Sequence, residues 1–86
     1  MALLEFYGQE CPHCDNMKPL IERLKSEEKL EIESFEVWHD EANAERLKEY
    51  DRVNCGGVPY FFNTETGKFI CGETNYEEFK RWAKGE

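Results

Sequence analysis

The stretch LLEFYGQECPHCDNMKPLIERL, residues 3–24, decides how this chain folds. It opens with Leu3, Leu4, Phe6 and Tyr7, a nearly continuous apolar run of the kind that makes a strand covered on both faces. It closes with Met17, Leu20, Ile21 and Leu24 at helical spacing with charges between them, which predicts an amphipathic helix from about residue 12 to about residue 28. Pro19 lies inside that helix, where a kink is expected. The junction between the two elements is CPHC, residues 11–14. Two cysteines so spaced suit half of a zinc site, a structural disulfide or a working redox pair.

Working outward, residues 31–38 (EIESFEVW) alternate polar with apolar and predict a second strand. DEANAERLKEY then reads as a helix capped by Asp40, with Ala44, Leu47 and Tyr50 on its inner side. After the loop DRVNCGG, the runs VPYFFN and GKFIC are joined by a tight TETG connection and predict an antiparallel hairpin. NYEEFKRWAK ends the chain as a short helix capped by Asn75, with Tyr76, Phe79 and Trp82 or Ala83 turned inward. The order is β-α-β-α-β-β-α. A strand, a helix and a strand at the start imply a parallel pair with a right-handed crossover. The expected architecture is α/β: a four-stranded mixed sheet with helices on both faces, in one domain over residues 1–86.

Composition narrows the function. The chain has 86 residues, 40% of them hydrophobic and 35% charged, which suits one soluble globular core. The formal net charge is −8, from 11 Lys and Arg against 19 Asp and Glu. Nucleic acid and anionic membranes recruit clustered cations, so neither is expected as a partner. No apolar run approaches the roughly 20 residues that span a bilayer. The start, MALLEFYG, lacks the positive region and long apolar segment of a secretion signal, so a cytoplasmic location is expected. In a reducing cytosol, four cysteines point to catalysis, redox sensing or metal binding before structural staples.

The position of CPHC carries its chemistry. Cys11 falls near the N-cap of the first helix and Pro12 near its first position, where a missing N–H costs nothing. A sulfur there meets unpaired N–H groups and the positive end of the helix dipole, both of which favour thiolate. His13, when protonated, adds a second positive charge. Cysteines in such settings fall from about 8.5 to about 3.5–7. Cys11 is therefore the expected attacking thiolate and Cys14, one turn on, the resolving thiol of a disulfide exchange. The competing class is a zinc or iron–sulfur protein, with Cys11 and Cys14 as ligands. Neither Cys55 nor Cys71 has a second cysteine two to four residues away, the usual pattern of structural zinc sites.

These features together resemble the thioredoxin superfamily, and the resemblance covers the whole chain. EFYGQECPHC is similar to the segment of protein disulfide isomerase domains and DsbA-type oxidases in which an acidic residue, here Glu5, lies six positions before the first cysteine. Pro19 follows Cys14 by five residues, as does the helix-kinking proline of thioredoxins, and Val58-Pro59 opens the third strand as the family's cis-proline does. The resemblance implies that Glu5 accepts and donates the proton of Cys14. It also implies that Pro59 is cis and faces the CPHC turn, with the Val58 backbone pairing with a substrate peptide as an added strand. Glu5 stands out on physical grounds too, because a carboxylate inside a central strand is costly unless protonated or partnered.

Departures from the family refine the picture. Glu10 stands where thioredoxins carry Trp. YGQE has no Lys, and only Gly72 follows Cys71 where a glutathione site carries Gly-Gly. No cofactor is therefore expected beyond the redox disulfide itself, and glutathione stands beside an unidentified reductase as electron donor. Pro-His between the cysteines resembles strongly oxidising relatives and predicts a less reducing potential than that of thioredoxin.

Of the remaining residues, Tyr7 is placed on the substrate face beside the turn. Cys55 reads as a surface-loop cysteine, with a third redox thiol or a switch as the other reading. Cys71, opposite Tyr60 in the hairpin, reads as buried and inert, and a Cys55–Cys71 disulfide is conceivable with little sequence support. His39 reads as a surface or capping residue, and Trp38 and Trp82 as packing residues. The expected protein is a monomeric thiol–disulfide oxidoreductase acting on protein disulfides and dithiols.

Overall fold

A computed structural model of the chain describes residues 2–51 and 53–86. The expected span of 1–86 therefore includes two positions, Met1 and Arg52, outside the described residues. The elements are β1 (Leu3–Tyr7), α1 (Pro12–Glu28), β2 (Ile32–Glu36), α2 (Glu41–Tyr50), β3 (Tyr60–Asn63), β4 (Phe69–Cys71) and α3 (Tyr76–Lys84). The sheet runs β2-β1-β3-β4. β1 is parallel to β2 and antiparallel to β3, and β3 is antiparallel to β4. This is the mixed α/β sheet of a small thioredoxin-like fold.

Strand periodicity divides the core in two. On one face Leu3 and Phe61 pack with Met17, Ile21 and Leu24 of α1 and with Phe79, Trp82 and Ala83 of α3. On the other, Leu4, Phe6, Tyr60 and Phe62 meet Leu47 and Tyr50 of α2. β1 lies between β2 and β3 and is buried along both faces, because α1 and α3 cover one and α2 the other. Phe61 sits 5.0 Å from the Phe79 ring and 5.6 Å from Trp82, centroid to centroid. Truncating so central a ring to alanine costs about 3–5 kcal/mol.

Local chemistry sets the element ends. The Asp40 side chain accepts from Asn43 N–H at 3.1 Å and Asn75 from Glu78 N–H at 2.9 Å, each occupying a donor that the helix start leaves unpaired. α1 closes at Lys29 with φ 57°, and α3 at Gly85 with φ 77°, both in the left-handed region. Helix α1 runs unbroken through Pro19. The β3–β4 turn is organised by Asn63, whose side-chain oxygen accepts from Glu65 N–H at 2.9 Å while its amide donates to the Trp82 carbonyl at 3.0 Å.

Three expectations need correction. Trp38 is not core: it is 52% exposed, because β2 ends at Glu36 and leaves Trp38 in the following loop. Its ring lies over Gly8, where an added Cβ would overlap it. Cys71 is exposed at the end of the edge strand β4 rather than buried and inert. Cys55 is not a free loop cysteine, because Cys55 and Cys71 form a disulfide with their Cα atoms 5.9 Å apart.

Candidate active site

The site forms where β1 hands over to α1. Cys11 N–H donates to the Gly8 carbonyl at 3.2 Å, closing a turn that delivers Cys11 to the N-cap of α1 with φ −89° and ψ 112°. Pro12 follows as the first helical residue, so no backbone donor is lost there. The Cys11 sulfur takes the role that a serine or aspartate oxygen plays in other caps, accepting Cys14 N–H at 3.1 Å. As a thiol it also faces the Val58 carbonyl at 3.7 Å. Its surroundings are thus a donor from the helix start and an acceptor from the loop before β3.

Cys14 has a different environment. It is 2% exposed, and its thiol is pushed up to about 12, first by burial and then by the hydrogen bond with the Cys11 sulfur. A thiol so placed keeps its proton more tightly than a free cysteine. Glu5 is a buried carboxyl whose charge reaches that thiol. Period-two alternation puts Leu3 and Glu5 on the α1 side of β1, and Glu5 is 5% exposed there. Glu5 and Cys14 line one groove of about 710 Å³ together with Tyr7, Lys18, Lys25 and Ser34.

Burial raises the Glu5 carboxyl above its ordinary value, opposed by the Ser34 hydroxyl and the charges of Lys18 and Lys25. Ser34 Oγ donates to Glu5 Oε1 at 2.7 Å. A carboxyl held in this balance can change protonation state without the full penalty of a buried lone charge.

The other expected residues distribute around this centre. The Val58–Pro59 peptide is cis, Pro59 is buried, and its carbonyl accepts Gly72 N–H at 2.8 Å. His13 is exposed, and its Nδ1 lies 2.8 Å from Glu73 Oε1. That carboxylate offsets part of the positive charge a protonated His13 would offer Cys11, and the ring in turn holds Glu73 below the usual carboxylate range. Tyr7, expected on the substrate face, lines the groove with Glu5 instead. Pro12 is exposed beside Cys11.

Sequence reasoning missed the residues that brace this centre. Ser34 is one, although β1 and β2 in parallel register place Glu5 opposite Ser34, so aligning the two strands would have found it. The active-site turn is also gripped by the loop after β2. Glu36 accepts Gln9 N–H at 2.9 Å and His39 N–H at 2.7 Å. His39 Nε2 lies 2.8 Å from Glu10 Oε1, which raises the imidazole above its ordinary value.

The four cysteines do not form one metal centre, since the sulfurs of Cys55 and Cys71 are spent on each other. Among the described residues no group of three or more His, Cys, Asp or Glu side chains is arranged to hold a metal ion. Among them, too, no helix is long and apolar enough to cross a membrane. No curated protein and no solved structure matches the chain. Residues 1–84 match the thioredoxin family model, whose extent takes in both cysteines of CPHC and every element of the sheet. With a cysteine pair at the start of α1 and a mixed β2-β1-β3-β4 sheet, the chain belongs to the thioredoxin family, and its chemistry is of the thioredoxin-like redox kind.

Proposed function

We propose that this protein is a thiol–disulfide oxidoreductase that exchanges electrons with protein disulfides and dithiols through Cys11 and Cys14. The observation that carries the reading is the contrast within the pair: the Cys11 sulfur caps a helix and accepts a backbone N–H at 3.1 Å, while Cys14 is buried and held as a thiol. In the reducing direction, Cys11 thiolate attacks a substrate disulfide and forms a mixed disulfide, releasing the first substrate thiolate. Glu5 takes the proton of Cys14, directly or through water in the groove. Cys14 then attacks Cys11 and expels the second substrate thiol. Two electrons pass to the substrate and Cys11–Cys14 becomes a disulfide. The oxidising direction is the same sequence reversed.

Substrate docking falls to the edge beside Cys11. The Val58 backbone next to cis Pro59 offers hydrogen-bonding groups to an extended peptide, in the manner of an added strand. Pro12 and His13 are exposed around the sulfur and frame the approach. A reductase or glutathione would recharge the pair. Reduction of insulin disulfides tests the reading: wild type should turn over and Cys11→Ser should not. Stoichiometric metal in the purified protein, with exchange unaffected by Cys11→Ser, would sink it. The potential of the Cys11–Cys14 couple then decides between reductase and oxidase, and a value at or below that of thioredoxin would show that His13 does not tune Cys11.

A further inference from the structure

We propose that the Cys55–Cys71 disulfide is a second redox site, opened by an external dithiol, whose state sets whether the Val58 edge beside Cys11 is in place to dock a peptide. The inference rests on the reading of CPHC as the exchange site.

The bond joins the two stretches that flank Cys11. On one side, Cys55 lies three residues before Val58, whose carbonyl faces the Cys11 sulfur at 3.7 Å. On the other, Cys71 is followed by Gly72, which donates to the Pro59 carbonyl at 2.8 Å, and by Glu73, which pairs with His13 at 2.8 Å. One covalent link therefore ties together the cis-proline loop and the segment that touches the active-site helix.

Among the described residues, that loop has few other attachments. Between α2 and β3 the described residues form no helix or strand, and Val53, Asn54, Gly56 and Gly57 are exposed. Asn54 at φ 54° and Gly56 at φ 78° turn the chain outward, and the space around Gly57 is open. The Cys55 N–H bond to Asp51 Oδ1, at 2.9 Å, ties the loop to the C-cap of α2 and not to the sheet. Among the described residues, attachment comes from Cys55 and Val58 packing on the α2-side core, from the Cys11 Sγ contact with the Val58 carbonyl and from the disulfide to β4. A segment so anchored is the part of a fold that opens first when a tether is cut.

The bond is also reachable. Cys71 is exposed and Cys55 half-buried, whereas Cys11 and Cys14 are both buried. A dithiol thiolate attacks the Cys71 sulfur, forming a mixed disulfide and releasing Cys55 as a thiolate that takes up a proton. The second thiol of the same reagent then displaces Cys71 and leaves as a cyclic disulfide. Two electrons and two protons pass from reagent to protein. Gly56 and Gly57 then free the Val58 edge from its fixed position.

Two arms test this. In the Cys11→Ser/Cys14→Ser chain, dithiothreitol should reduce Cys55–Cys71 with circular dichroism unchanged, exposing two alkylatable thiols. Amide hydrogen exchange should then rise at residues 55–60 and 71–73. A bond that opens only when the chain unfolds, or unchanged exchange at those amides, overturns the proposal. In the Cys55→Ser/Cys71→Ser chain, exchange with a disulfide-linked peptide should fall roughly tenfold, the factor expected when the docking edge is in place about a tenth of the time. Alkylation of Cys11 by iodoacetamide should keep its wild-type rate. Unchanged peptide exchange overturns the switch, and a parallel loss of both rates does so too, because the bond would then support the whole site. If the double-serine chain does not fold, the hydrogen-exchange arm decides alone. Cys11→Ser separates the two readings: exchange surviving that substitution overturns the role of CPHC, whatever the second disulfide does.

Discussion

One cysteine pair of this chain lies where the central strand β1 hands over to α1, the other links a loop to the edge strand β4, and their surroundings are opposite. Cys11 and Cys14 are buried, free, and fastened to a helix start by a backbone hydrogen bond of 3.1 Å. Cys55 and Cys71 are joined, nearer to solvent, and hold an irregular loop to an edge strand. Sulfur chemistry alone does not separate them. What differs is the backbone around each pair: one sulfur caps a row of oriented N–H groups, and the other pair joins a loop residue to the end of a strand, away from any helix start.

The sharpest way to break this contrast is at Cys14. In Cys14→Ser, Cys11 keeps its helix-capping position but has no resolving partner. Mixed disulfides should accumulate on Cys11, visible by intact mass, and multiple-turnover insulin reduction should fall by about 10⁴-fold or more, the scale of losing one member of a covalent catalytic unit. Normal turnover with no trapped adduct would mean that Cys14 is not the resolving thiol.

The other pair should answer in stability. Removing a cross-link that closes a loop of this size costs about 3 kcal/mol in the chain-entropy account. At about 4–8 °C per kcal/mol for a domain this small, Cys55→Ser/Cys71→Ser should melt roughly 12–24 °C lower by calorimetry. Cys11→Ser/Cys14→Ser should melt within a few degrees of the wild-type protein that has Cys11 and Cys14 as thiols and Cys55–Cys71 still joined. Equal and small shifts for both double variants would show that the two pairs do not differ in what they hold together.

Glu5 links the first pair to pH. Its folded-state carboxyl is raised above the ordinary 4.5, chiefly by burial. The folded protein then binds this proton more tightly than the unfolded chain. Its stabilising contribution is present below the ordinary value and lost as pH rises through the folded one. Glu5→Gln should therefore raise the melting temperature at pH 8 and give a smaller gain at pH 5. The same variant should slow resolution of the mixed disulfide at neutral pH in stopped-flow measurements. A melting difference independent of pH would show that Glu5 is not titrating in this range.

The smallest expected effect is at Ser34. Ser34→Ala removes the 2.7 Å hydrogen bond that favours the Glu5 carboxylate. The pH midpoint of mixed-disulfide resolution should move upward, and stability should fall by about 0.5–1.5 kcal/mol. Ser34→Thr, which keeps the hydroxyl, should restore the midpoint. A wild-type pH profile in Ser34→Ala would leave the serine a purely structural partner.

How far all this could be read from the sequence follows the range of each interaction. β1, α1 and the position of Cys11 between them are written in periodicities and caps a few residues long. So are the Asp40 and Asn75 caps and the β3–β4 hairpin. The misreadings involve partners brought together over distance. Trp38 was expected in the core because an aromatic at a strand end usually packs inward. Here Gly8, 30 positions earlier, offers a bare backbone for the ring to cover on the outside. The Cys55–Cys71 bond depends on the path of an irregular loop, which no periodicity encodes. Ser34 lay between these cases, visible only once β1 and β2 are set in register.

The placement of Trp38 gives the protein a built-in optical probe. Of its two tryptophans, Trp82 is 4% exposed in the apolar core and Trp38 is 52% exposed over Gly8, within the turn that ends at Cys11. Water-relaxed, red-edge emission therefore belongs to Trp38 and blue-edge emission to Trp82. Emission read at the red edge of the unlabelled protein follows chiefly the turn before Cys11, while the blue edge serves as an internal reference from the fold behind it.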